Sequence, residues 1–108
     1  MDFYVYDMNV YLAEYGRSLF FHGGKVANVL SATNIQGLQA SMPANGHIAI
    51  LISHTGENER LVEIAKMLRK NKTKVIVITS KPQGTLAPHA DELLYAAGQK
   101  RWWNSGAL

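Results

Sequence analysis

A chain of 108 residues has room for one domain with one core. Of its residues 47% are apolar and 18% charged, which excludes a disordered or fibrous chain, and a net charge of +3 is too mild to mark a nucleic-acid binder by itself. The lack of cysteine excludes disulfides and thiolate metal sites and fits a reducing compartment.

The chain opens "MDFYVYDMNV", with an acid at position 2 and no basic segment ahead of a long apolar run, so it does not read as a signal peptide. No apolar run approaches the roughly 20 residues of a membrane-spanning helix. The expectation is a soluble, cytoplasmic protein without a membrane partner.

Residues 3–7, "FYVYD", are aromatic and β-branched and predict a strand. "NVYLAEYGRSLFFHGG" follows, with Val10, Ala13, Leu19 and Phe20 at roughly helical spacing and Gly23-Gly24 as a stop. "KVANVL" predicts a second strand. "TNIQGLQASM" is weakly helical, with Gly37 against it, and "PANG" is a loop. "HIAILIS" is a continuous apolar run, as in a strand buried on both faces. "ENERLVEIAKMLRKN" is the clearest helix. Leu61, Val62, Ile64, Ala65 and Leu68 form its apolar stripe, and Glu59, Glu63, Lys66 and Lys70 face water. "KVIVIT" is a further buried strand, "SKPQGT" a loop, "LAPHA" a turn and "DELLYA" a fifth strand. The last stretch, "AGQKRWWNSGAL", holds Trp102 and Trp103, which cap the core, meet a partner subunit or begin an incomplete helix.

This alternation predicts an α/β fold: a three-layer, doubly wound, parallel five-stranded sheet in the flavodoxin-like order 2-1-3-4-5, as one domain over residues 1–108. The basic residues Arg69, Lys70, Lys72 and Lys74 read as the end of a helix, where cations suit the macrodipole. A nucleic-acid patch is the weaker reading.

The sharpest motif is the loop Ser53-His54-Thr55-Gly56-Glu57-Asn58, between a buried strand and a helix. In open α/β sheets ligands bind at the carboxyl ends of the strands. A helix starting near Gly56 offers free N–H groups and a positive dipole end, Ser53 and Thr55 add hydroxyls, and Gly56 lets an oxyanion approach the backbone. That is a phosphate cradle. The bland reading has equal standing: Thr55 caps the helix, with Asn58 as a weak capping-box partner. A dinucleotide G-x-G-x-x-G turn and a G-x-x-x-x-G-K-[ST] loop are both missing, which argues against NAD and ATP. No cofactor, metal site or obvious acid/base pair is implied.

Residues 49–96 resemble a SIS (sugar isomerase) domain. Ser53 to Asn58 stands for the family's S-x-S-G-x-T, Ile78-Thr79 for its strand ending in I-T, and Thr85-Leu86-Ala87-Pro88-His89-Ala90-Asp91 for its S-x-L-A-x-x-A-D. The "ISHTGE" form is most similar to the sensor half of the MurR/RpiR transcriptional regulators. The resemblance implies a domain that binds a sugar phosphate or amino-sugar phosphate without converting it. It also implies a homodimer or higher homo-oligomer, and DNA contact only through a separate helix-turn-helix domain absent from this chain. Carried over residue by residue, Ser53, His54, Thr55, Gly56 and Asn58 would hold the ligand, with Asn58 replacing a Thr or Ser of the pattern. Where family members have a glycine-rich turn ending in serine after the first strand, this chain has Asp7-Met8-Asn9. Asn9 would supply a donor there, whereas Asp7 would oppose a phosphate. The resemblance also implies a C-terminal helix that this sequence does not complete.

Two other readings follow. A phosphosugar isomerase would need a general base, for which His54 and Glu57 are near the loop and His22, His47 and His89 lie elsewhere. A dimerisation module with a decayed site would bind no ligand.

Overall fold

The computed structural model describes residues 1–6, 9–31, 33–40 and 47–95. Strand β1 (Asp2–Tyr4) leads to helix α1 (Asn9–His22), then β2 (Asn28–Leu30), helix α2 (Thr33–Ala40), β3 (Ile48–Ser53), helix α3 (Glu59–Lys70) and β4 (Lys74–Thr79). A 3-10 turn over Ala87–His89 precedes β5 (Glu92–Tyr95). The five strands form one parallel sheet in the order β2-β1-β3-β4-β5. The α/β class, the three layers and the strand order are those expected from the alternation of elements.

The two faces of the sheet carry two apolar clusters. Tyr4, Leu51, Val75 and Val77 pack with Ala40 of α2, with Leu61, Ile64, Ala65 and Leu68 of α3, and with Leu86. On the opposite face Phe3, Val5, Ile50 and Ile52 pack with Ala13 of α1 and Ala27. The period of two along a strand divides the residues this way: Leu51 goes to one layer, while Ile50 and Ile52 go to the other. Every residue of β3 after Ile48 is buried, which explains its unbroken apolar run. β4 alternates instead, with Val75, Val77 and Thr79 inward and Ile76 and Ile78 half-buried on the α1 face. It is covered fully on one side only, which corrects the reading of a strand buried on both.

α3 forms for local and tertiary reasons together. Its stripe of Leu61, Ile64, Ala65 and Leu68 is buried, and Val62 only partly so. Burying each large aliphatic side chain contributes about 1.5–3 kcal/mol. The helix ends where Lys72 turns left-handed (φ 68°), letting the Thr73 amide donate to the Leu68 carbonyl at 2.9 Å. α1 packs through Val10, Ala13 and Phe20, but Leu19 is 55% exposed, because a residue next to Phe20 on a helix points about 100° away from it. α2 forms despite Gly37, anchored by fully buried Gln36. The Gln36 Nε2 donates to the carbonyls of Leu30 (2.7 Å) and Val5 (3.2 Å), and its Oε1 accepts from the Tyr6 hydroxyl.

Element ends differ from the sequence reading by a few residues. β1 runs over 2–4 rather than 3–7, β2 begins at Asn28 rather than Lys25, and α3 begins at Glu59 rather than near Gly56. Trp102, Trp103 and the rest of 96–108 lie outside the described residues, as do Asp7 and Met8. Among the described residues no helix is long and apolar enough to cross a membrane.

Candidate functional site

β3 and β4 end in register with a hydroxyl residue each: Ser53 is the Cα partner of Thr79, and both are buried. These two strand ends lie on the carboxyl edge of the sheet, where open α/β folds hold ligands. Two loops leave from there, one to α3 and one toward the 3-10 turn.

In the first loop the Gly56 amide donates to Ser53 Oγ at 3.0 Å, and the Glu57 amide donates to Thr55 Oγ1 at 3.2 Å. Both hydroxyl oxygens act as acceptors here, and among the described residues neither hydroxyl hydrogen has an acceptor, so each can be offered to an anion. Asn58 is the N-cap of α3, its Oδ1 accepting from the Leu61 amide at 3.1 Å. The expected cap at Thr55 is thereby corrected: Thr55 closes a turn two residues long, and the helix waits for Asn58. Glu57 then precedes the helix, and Glu59 is the acid of its first turn. With Asn58 serving the third helical amide, the first two amides of α3 remain without an intrahelical acceptor beside the loop.

Gly56 has φ +69°, a backbone region that L side chains rarely adopt. A Cβ there would come within 2.7 Å of the Lys81 carbonyl oxygen and 3.0 Å of Thr79 Oγ1. Gly84 faces it, and a Cβ on Gly84 would run into the Gly56 carbonyl. The Leu86 amide donates to that same carbonyl at 2.9 Å. The two loops are therefore in backbone contact through a pair of glycines.

His54 lies exposed on the rim. Ser80 Oγ donates to the His54 carbonyl at 2.7 Å and lies 2.9 Å from His54 Nδ1. A serine has one hydrogen; with it on the carbonyl, Nδ1 carries a proton and donates to Ser80, leaving Nε2 as the ring's acceptor. Asn9, at the start of α1, donates from Nδ2 to the Ile52 carbonyl at 3.4 Å, which places it beside the end of β3.

Of the six residues nominated from the sequence, Ser53, His54, Thr55, Gly56 and Asn58 form one loop and Asn9 reaches the strand that feeds it. The second loop was not nominated. Thr79, Ser80, Lys81 and Gly84 close the site from the β4 side, and Thr79 Oγ1 accepts from the Lys81 amide at 3.0 Å. The signal was present in the matched endings "IS" and "IT" of two adjacent buried strands. The other histidines are elsewhere: His22 caps the end of α1 through the Ser18 carbonyl, and His89 is in the 3-10 turn. Among the described residues no three His, Asp or Glu side chains gather as a metal site would need.

At the opposite edge of the sheet an open cleft of about 420 Å³ is lined by Arg69, Lys72, Thr73, Lys74 and Asp91. Arg69 pairs with Asp91 at 3.3 Å and Lys74 with Glu92 at 2.6 Å. Hydrogen bonding and charge from Glu92 raise the Lys74 pKa. Asp91 also accepts from the Val75 amide at 2.7 Å, so this cluster ties α3 to β4 and β5.

Comparison with known proteins gives a consistent result. The model of the SIS domain matches residues 10–104. The regulator HexR of Escherichia coli, of the helix-turn-helix type, is 39% identical over 46 residues, covering 43% of this chain and 16% of that protein. The Vibrio vulnificus NanR protein, solved with ManNAc-6P, superposes with a TM-score of 0.79 at 19% identity, over 89% of this chain and 38% of that one. The c3406 protein of E. coli CFT073 gives 0.76 at 21% identity, over 87% and 50%. A Bacillus subtilis protein provisionally named a phosphosugar isomerase gives 0.71 at 23% identity, over 90% and 31%. This chain thus spans half or less of each of these relatives. With the family model matched over most of its length, and with its strand order, the chain belongs to the SIS domain family.

Proposed function

We propose that this chain is the phosphosugar-binding effector domain of an RpiR-type transcriptional regulator of carbohydrate metabolism. The carrying observation is the Ser53–Asn58 loop. It places two hydroxyls, a left-handed glycine and the start of α3 at the carboxyl edge of the central strand. That arrangement suits an anion that accepts hydrogen bonds from several directions, as a phosphate monoester does. Similarity to HexR over 46 residues supports the regulator reading, and NanR with ManNAc-6P supports the ligand class. In this reading Ser53, Thr55 and Gly56 hold the phosphate, while His54, Asn58 and Asn9 border it. The domain acts as a homodimer, and a separate helix-turn-helix domain contacts DNA.

The test is thermal unfolding against a panel of aldose, ketose and amino-sugar phosphates. A ligand at about 100 times its Kd adds about 2.7 kcal/mol of stability. One or more phosphosugars should raise the Tm, and the rise should be lost in Thr55→Ala. Thr55 is the informative control because it is exposed and does not cap α3, so its replacement leaves the fold nearly as stable. No rise with any compound would overturn the proposal and leave a dimerisation module.

The isomerase reading is favoured by one contact, the Ser80–His54 pair, which leaves an imidazole acceptor nitrogen at the rim. Turnover of a sugar phosphate in a coupled assay, abolished by His54→Ala, would establish it in place of the sensor.

A further inference from the structure

The Ser53–Asn58 loop supplies neutral donors, and the only formally charged residue within it is Glu57, an acid. Hydroxyls, amides and the dipole end of α3 favour a phosphate dianion, and a full positive charge beside them sharpens the discrimination against a neutral sugar oxygen. A cation is the missing element, and the facing loop carries one. We infer that Lys81 is the residue that makes this site select phosphorylated over unphosphorylated sugars.

The placement follows from the backbone. The Lys81 amide donates to Thr79 Oγ1 at 3.0 Å, and its carbonyl accepts from the Gly84 amide at 3.0 Å. That carbonyl also lies against Gly56, and the Lys81 Cβ is 3.5 Å from where a Cβ on Gly56 would stand. Three contacts therefore hold the root of the side chain against the glycine of the proposed phosphate loop. From that root the flexible four-carbon stem extends about 5 Å, so the ammonium is tethered in the neighbourhood of Gly56. The side chain is exposed. Among the described residues Arg17, Arg60, Arg69 and Lys74 each have a carboxylate partner, whereas Lys81, like Lys25, Lys66, Lys70 and Lys72, has none. It is the one Lys or Arg in the two loops, 53–58 and 79–86. An exposed, strongly hydrated point charge without a carboxylate partner among the described residues, at the rim of a neutral donor set, offsets Glu57 and attracts a dianion.

This inference rests on the phosphate-site reading above, and the experiment separates the two. Binding of the sugar phosphates that raise the Tm of the 108-residue chain, and of inorganic phosphate, is titrated for the parent, Lys81→Met, Lys81→Arg and Thr55→Ala at low and high salt. The matching unphosphorylated sugars are titrated alongside. Lys81→Met should weaken phosphosugar binding roughly tenfold or more and flatten its salt dependence, Lys81→Arg should restore most of both, and the ligand-free Tm should hold in each. Parent-level binding by Lys81→Met, with Thr55→Ala defective, would overturn the role of Lys81 and leave the phosphate site standing. No binding by the parent would remove both.

Discussion

Tyr4 shows what one atom does at the heart of the sheet. Its ring is fully buried, and its hydroxyl has no hydrogen-bond partner among the described residues. A buried, unsatisfied hydroxyl costs about 1–3 kcal/mol, so Tyr4→Phe should leave stability unchanged or raise it by about 1 kcal/mol in urea unfolding. Burial, with the charge of Asp2 second, holds the phenol well above its usual range. The unfolded chain gives up that proton near pH 10 and the folded chain keeps it, so the contribution is whole below pH 10 and falls as pH rises beyond it. Tyr4→Phe should therefore show a shallower loss of stability than the parent between about pH 9.5 and 11. Gly56 makes the opposite case. Gly56→Ala must adopt a left-handed backbone and meet the Lys81 carbonyl, so a loss of about 2 kcal/mol or more is expected from the same denaturation. A stable Gly56→Ala with intact ligand response would contradict the loop geometry.

At the scale of elements, α3 was the most legible part of the sequence because its apolar residues recur at the helical period over 12 residues. Its start was not legible. Thr55 and Asn58 are both good caps, and only the hydrogen bond from Leu61 to Asn58 decides between them. Asn58→Ala should cost about 1 kcal/mol and Asn58→Asp little, while Thr55→Ala should cost much less than Asn58→Ala; chemical denaturation of the three variants checks the order. β3 was legible as a run of apolar residues, and the short edge strand β2 was overextended because "KVA" has strand composition without strand partners. In the β4 half of the site the matched ending "IT" was legible, and the rest was missed for a tertiary reason. Lys81 meets Gly56 from a distant part of the chain, and no local pattern encodes that approach. The outward residues of α1 were equally hidden, since Leu19 and Phe20 are adjacent and only packing chooses which one turns inward.

Across the whole molecule, stability is graded from the centre of the sheet to its edges. β3 and β4 pair over six residues and share both clusters, whereas β5 has four exposed residues and β2 pairs over three. Amides of Ala49–Ile52 and Val75–Ile78 should exchange slowest with deuterium, and those of β2 and β5 fastest among the strands. Equal protection of β5 and β3 would contradict this gradient. α1 leaves Tyr11, Leu12, Tyr15, Leu19 and Phe21 exposed. The overall architecture was legible because alternating strands and helices admit few layered arrangements; right-handed crossovers leave more than one strand order open, and 2-1-3-4-5 was chosen among them by likeness to the flavodoxin-like fold.

The glycine contact between the two loops has a consequence for how such a domain can diversify. Because Gly56 and Gly84 touch through backbone, with Leu86 donating to the same carbonyl, neither loop can gain or lose a residue alone without breaking the seam. The side chains at 54, 55, 57, 81 and 83 are exposed, so replacing them leaves the backbone seam in place. Descendants of this chain should therefore change their ligand preference by swapping side chains on a fixed frame, and insertions that enlarge the mouth should arrive as matched pairs, one in each loop.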